Sequence, residues 1–190
     1  MTTVKRTNFY ILLMMLACVA LGGVIYVYIL NHPIRAAELK VQAPGISEQQ
    51  FQSSLEVARV FGRSPSCAEA SPKLIQEIAE QSVRVNLDPR IFAAVVAVES
   101  GCDPMAVSSR GAIGYSQIMP KVWKDRFDFT GSVNLLNPHD NLRVGADILG
   151  GLVKQYGVSG GVAKYQGAGI GCPSCDDKYA SKILSLAGRR

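Results

Sequence analysis

Residues 91–98 read IFAAVVAV, an apolar run that leaves no face for water. A helix of this kind has to be enclosed, so the chain must build its core around it. Asp88 can cap the helix start and Pro89 suits the first turn. Gly101 suits a C-terminal cap, which ends the helix just after Glu99 and Ser100. Glu99 then stands where two effects oppose its anion: poor solvation and the negative end of the helix dipole. A carboxyl group held protonated near neutral pH is a candidate general acid. The rival reading is a glutamate at a helix end that simply reaches into water.

The remaining pattern is mostly helical. Residues 47–61 predict a helix capped by Ser47, with Phe51, Leu55 and Ala58 on one face. Ser71-Pro72 opens a second helix with Leu74, Ile75, Ile78, Ala79 and Ser82 on one side. Residues 86–89 turn the chain directly into the Glu99 helix. Gly- and Ser-rich sequence from 101 to 114 argues for loop, with room for a short hairpin. Short helices are expected over 120–127 and 160–166, and longer ones over 140–156 and 177–187, with Leu142, Ala146, Leu149 and Val153 in register. The fold class expected is mainly α, with at most a small β element, preceded by one transmembrane helix.

That last element is residues 9–30, FYILLMMLACVALGGVIYVYIL, which carry no charge. At ~1.5 Å per residue the segment is long enough to cross a bilayer, and Tyr10, Tyr26 and Tyr28 lie towards its ends. A cleaved signal peptide is the competitor, but NHPIRAAELK after Leu30 offers no good small-x-small site. The division expected is an anchor over 1–31, a linker and accessory helix over 32–69, and a domain over 70–190. Cys18 lies in the apolar segment. Cys67, Cys102, Cys172 and Cys175 lie beyond it, an even set that fits two disulfides in an oxidising compartment. The helices over 72–85 and 89–100 should run antiparallel across their short turn. That brings Cys67 near Cys102 and leaves Cys172 for Cys175. A four-thiolate zinc site is the rival, although a second Cys-x-x-Cys pair is missing. A redox pair at Cys172 and Cys175 lacks the usual surrounding βαβ pattern. The net charge is +5, but Lys5 and Arg6 account for part of it. The mild excess that remains is no basic stripe, so nucleic acid is not an expected partner.

Five ordered pieces of this sequence resemble the lytic transglycosylase (SLT) family of the goose-type lysozyme superfamily. They are Glu99-Ser100 at the helix end, the turn Asp103-Pro104-Met105-Ala106, the segment GAIGYSQIMP at 111–120, NPHDNLRVGADIL at 137–149, and AKYQGAG at 163–169. The resemblance covers roughly residues 70–187. It implies a lysozyme-like domain that cleaves peptidoglycan glycan strands without a cofactor or metal, with Glu99 as the catalytic acid and base. Ser100 and Gln117 match positions in or near the family's sugar cleft. Tyr165 matches a tyrosine close to the acid, whose ring could stack on sugar while its hydroxyl orients the carboxyl group.

The sequence also departs from the family pattern. Gln166 replaces the usual Asn and is one methylene longer. Tyr115 and Ser116 replace Leu and Met, making the expected cleft wall more polar. Met119 and Trp123 are each a core residue or a substrate contact. Asp103 is the only nearby second carboxylate, and its Asp-Pro context suits a turn. The expected setting is the inner membrane, crossed once, with the domain in the periplasm. The small size resembles transglycosylases that serve secretion, conjugation or pilus machines. A muramidase, a phage wall-opening enzyme and a non-catalytic wall-binding factor are the alternatives.

Overall fold

The structure is a computed structural model that describes residues 46–166 and 176–188. The expected anchor, the linker up to residue 45, and Cys172 with Cys175 lie outside the described residues. Within them no helix is long and apolar enough to cross a membrane.

Among the described residues six α-helices carry the architecture: α1 (Glu48–Phe61), α2 (Pro72–Arg84), α3 (Pro89–Ser100), α4 (Pro120–Trp123), α5 (Pro138–Tyr165) and α6 (Asp176–Leu186). A single 3₁₀ turn, Pro65–Cys67, joins α1 to α2. No strand forms among the described residues. Two isolated antiparallel bridges, Val107 with Ile113 and Ile113 with Ile118, are the small β element.

Helix α3 is the centre of the core. Its residues from Ile91 to Ala97 are all buried. Helices α1, α2 and α6 pack around it, and α5 closes over α2 and α6. The local signals explain the boundaries. Asp88 accepts from the Arg90 N–H at the start of α3, and Gly101 ends the helix in the left-handed region with φ 61°. Helix α1 opens on a capping box between Ser47 and Gln50. Helix α5 starts at Pro138, two residues before the expected Asp140, with the Asn137 side chain as its cap.

Two expectations need correction. The buried face of α1 is Ser53, Val57, Val60 and Phe61, whereas Phe51 and Leu55 are exposed. That helix has two apolar stripes, and its packing on α2 and α3 selects the second. Helix α4 spans only Pro120–Trp123, shorter than 120–127. The two helices expected over 140–156 and 160–166 are both present: α5 is two helical stretches parted by a kink at Gly157, whose φ of 72° and ψ of 173° are not helical.

Candidate active site

The end of α3 is fixed from three directions. Gly101 and Cys102 both take positive φ, 61° and 66°, so the chain reverses immediately after the helix. A disulfide joins Cys102 to Cys67 in the 3₁₀ turn, with the Cα atoms 5.4 Å apart. The bridge expected from the antiparallel geometry of α2 and α3 is therefore present. It consumes two of the four thiols that the zinc reading required. Among the described residues no group of three or more His, Cys, Asp or Glu is placed to hold a metal.

The third restraint comes from α6. The Tyr179 hydroxyl donates to Glu99 Oε1 at 2.5 Å. Tyr179 is only 8% exposed and packs with Ala180 and Ile183 into the main core. Burial raises the Glu99 carboxyl above its ordinary 4.5, opposed by the Tyr179 hydrogen bond and the positive charge of Lys182. Desolvation wins, so the acid is displaced towards the neutral form. Tyr179 itself is pushed far above the usual phenol range by burial and the nearby Glu99 charge, and it stays a donor at any ordinary pH.

Glu99 opens into a cleft of about 690 Å³. Gln117, Met119, Trp123, Tyr165 and Gln166 line it, together with Tyr156, Arg110 and Lys164. Among the described residues, Glu99 is the single carboxyl group in that lining. Asp103 does not reach it; its Oδ1 accepts from the Met105 N–H at 2.8 Å, the turn role its Asp-Pro context suggested.

The loop that forms the rest of the cleft, residues 106–119, is held by polar bonds. Asn141 on α5 is 1% exposed. It accepts from the Ser116 N–H at 2.8 Å and donates to the carbonyls of Ile113 and Leu135 at 2.8 and 3.0 Å. The approach is close enough that a Cβ on Gly114 would lie 2.2 Å from the Asn141 amide nitrogen. Gly114 also has φ 72°, so glycine is required there twice over. Gln117 sits at φ 47°, and its amide nitrogen donates to the carbonyls of Ala106 and Gly114 at 3.0 and 3.1 Å. Those two acceptors fix the amide's orientation and leave its oxygen as the group available to a ligand.

The cleft thus gathers Glu99, Gln117, Met119, Tyr165 and Gln166 from the expected set, and leaves out three others. The Ser100 hydroxyl donates back to the Val96 carbonyl at 3.0 Å, inside its own helix. Tyr115 packs against the core, its phenol raised by burial and by the charge of Asp103. Ser116 is fully buried, not on the cleft wall, and its Oγ has no hydrogen-bond partner. The expectation for Tyr165 also changes. Its hydroxyl donates to the Ser116 carbonyl at 2.8 Å, which ties α5 to the loop. Burial and the Glu99 charge raise its phenol well above the ordinary range. Tyr179 is the side chain that orients the acid.

Sequence reasoning missed both Tyr179 and Asn141. Tyr179 is the sole aromatic of α6, four residues before Ile183, so its inward direction was readable but its partner was not. Asn141 lies beside the apolar Leu142 on the α5 face, a buried polar residue whose bonds are all long-range or to the preceding loop.

A buried central helix ending in one carboxyl acid, beside a long cleft walled by a polar-pinned loop, defines a lysozyme-like helical domain. The profile of the Transglycosylase SLT domain family matches residues 76–172, and the chain belongs to that family. A protein of Enterobacteria phage PRD1 named "Transglycosylase" is 37% identical over 82 residues, which are 43% of this chain and 29% of that protein. The matched region is thus less than a third of the phage protein's length.

Proposed function

We propose that the protein is a peptidoglycan lytic transglycosylase that cleaves the β-1,4 bond between MurNAc and GlcNAc and leaves a 1,6-anhydroMurNAc end. The observation that carries this reading is a desolvated carboxyl group that stands alone among the described residues lining the cleft. Most glycosidases divide the work between two carboxylates. Here Glu99 does both jobs. Its proton passes to the glycosidic oxygen as the C1–O bond breaks and GlcNAc leaves. The MurNAc N-acetyl carbonyl stabilises the cationic C1. The Glu99 carboxylate then takes the proton of the C6 hydroxyl, whose oxygen bonds to C1 and closes the anhydro ring. Tyr179 holds the carboxyl oxygen through both steps and stabilises the anion between them. The Gln117 carbonyl oxygen, Met119, Trp123, the Tyr165 ring and Gln166 supply the sugar-contacting surface.

We further propose that residues 9–30 anchor the enzyme in the inner membrane, with the domain in the periplasm. The apolar, uncharged sequence of that segment supports this reading. Residues 32–46 span at most ~50 Å when extended, so cutting is confined to nearby glycan. Such local action suits wall opening for a secretion, conjugation or pilus machine. The phage relative supports a second setting, wall opening by a phage. Digestion of purified sacculi tests the chemistry. Anhydro-ended muropeptides are expected. Reducing ends would make the protein a muramidase, and no products would leave a wall-binding factor.

A further inference from the structure

Helix α1 keeps one of its two apolar stripes in solvent. Phe51 is 44% exposed and Leu55 38%, and Ala58 and Gly62 beside them are exposed as well. Their spacing of four, three and four residues is the heptad seam by which one helix packs along another. Gly62 adds a second observation. Its φ of −62° is ordinary helical backbone, and an added Cβ would meet only carbonyls of its own helix, those of Ala58 and Arg59, at 3.5 and 3.8 Å. The fold therefore has room for a side chain there. A glycine on an apolar seam instead lets another backbone approach closely.

The order along the seam is large, large, small, small. Reversing α1 against a second copy of itself sets Phe51 opposite Gly62 and Leu55 opposite Ala58, so each large side chain meets a small one. A parallel pair sets Phe51 against Phe51 and Gly62 against Gly62, which crowds one end and hollows the other. The charges agree. Glu48 lies in the first turn of α1, Arg59 in the last and Arg63 just beyond. Arg59 pairs with Glu56 and Arg63 reaches the Leu186 carbonyl, yet both stay exposed. Antiparallel pairing brings the acidic start of one helix to the basic end of the other and opposes the two helix dipoles. Parallel pairing sets like charges together.

We propose that α1 is a homodimer surface, on which two copies of this chain pair antiparallel through Phe51, Leu55, Ala58 and Gly62. Such an interface is two-fold and self-complementary, as the large-to-small order of the seam requires. The patch is small, so the association is weak and reversible. None of these residues lines the cleft, so the inference stands apart from the reaction proposed above.

The register is tested by photocrosslinking full-length protein in detergent, with p-benzoylphenylalanine in place of Phe51. Isotope-labelled and unlabelled chains are mixed, so that mass spectrometry separates crosslinks between copies from those within one. Crosslinks between copies that land on residues 60–63 are expected. Association is measured in parallel by sedimentation of the wild type, Gly62→Ala and Gly62→Leu. The leucine side chain takes the place of Phe51 from the second copy, so Gly62→Leu is expected to weaken association about tenfold. Gly62→Ala should fall between it and the wild type. Neither change should lower the melting temperature, because the fold leaves room at Gly62. Any association through residues 9–30 is common to all three proteins and cancels in the comparison. Crosslinks between copies that land elsewhere, including position 51 itself, overturn the proposal. So do crosslinks to residues 31–45 of the same chain, no crosslink to protein at all, or an association that Gly62→Leu leaves unchanged.

Discussion

The helix that carries Glu99 and the loop that completes the cleft reach the same rigidity by different physics. Helix α3 is held by apolar burial on every side, with Asp88 and Gly101 setting its ends and the Cys67–Cys102 bridge clamping its exit. The loop over 106–119 alternates, burying Ala112, Ser116 and Ile118 and leaving much of the rest partly exposed. It is fixed by donors and acceptors borrowed from α5: two bonds to Asn141, whose amide also reaches the Leu135 carbonyl, and one from Tyr165 to the Ser116 carbonyl. Apolar burial is tolerant of small changes and strong in sum, whereas a buried polar network fails at single members. The helix therefore should govern whether the domain folds, and the loop whether the cleft keeps its shape.

The largest effect is expected at the acid. Glu99→Gln is nearly isosteric and should lower turnover on sacculi by ~10²–10⁴-fold, while circular dichroism stays unchanged. It should also raise the melting temperature at neutral pH. Burial raises the folded-state pKa of Glu99, so the wild type loses stability as pH climbs above the ordinary 4.5 through that raised value. The gain from Gln should shrink as pH is lowered towards about 4, where the carboxyl is largely neutral in both states.

Opening the clamp on the helix comes next. Replacing Cys67 and Cys102 together by Ser should cost about 3–4 kcal/mol in denaturant unfolding, as expected for a bridge between residues 35 apart. A double variant as stable as the wild type would mean that apolar burial alone fixes the end of α3. On the loop side, Asn141→Ala strips partners from the Ser116 N–H and the carbonyls of Ile113 and Leu135. A loss of about 2–3 kcal/mol is expected, with activity falling further than stability alone explains at a temperature where the variant is folded. An activity loss no greater than for a core variant of equal stability would remove the distinction between the two walls. The smallest effect is expected at Ser116, whose buried hydroxyl has no partner. Ser116→Ala should be neutral or stabilising by up to ~1 kcal/mol in thermal melts, and clear destabilisation would show that the hydroxyl is bonded in solution.

The same contrast explains what could be read from the chain. The Glu99 helix was legible because its signals are local: unbroken apolarity, Asp88-Pro89 before it and Gly101 after it. The Cys67–Cys102 bridge followed because a turn of a few residues forces α2 and α3 antiparallel. The loop wall was not legible. Its segment resembled a family motif, but nothing local in GAIGYSQIMP says that Ser116 turns inward or that Gln117 spends its N–H groups on backbone carbonyls. Tyr165 was assigned to the acid and is bonded to the Ser116 carbonyl, while Tyr179, 80 residues from Glu99 in sequence, holds the carboxyl. Both outcomes depend on how α5 and α6 settle against α3. Likewise α1 offered two apolar stripes, and only its neighbours decide that Val57, Val60 and Phe61 are buried and Phe51 is not.

The central claim is that burial at the end of α3 holds Glu99 as an acid, with Tyr179 opposing that shift while positioning the group. Direct titration of the Glu99 side chain tests it, using carbon-13 carboxyl NMR with Glu99→Gln to assign the signal. The account predicts a midpoint above the ordinary 4.5 in the wild type, and a higher one in Tyr179→Phe, where the hydrogen bond that favours the anion is gone. The fall of kcat/KM with rising pH should move in the same direction. A midpoint at or below 4.5, or a downward shift in Tyr179→Phe, would contradict it.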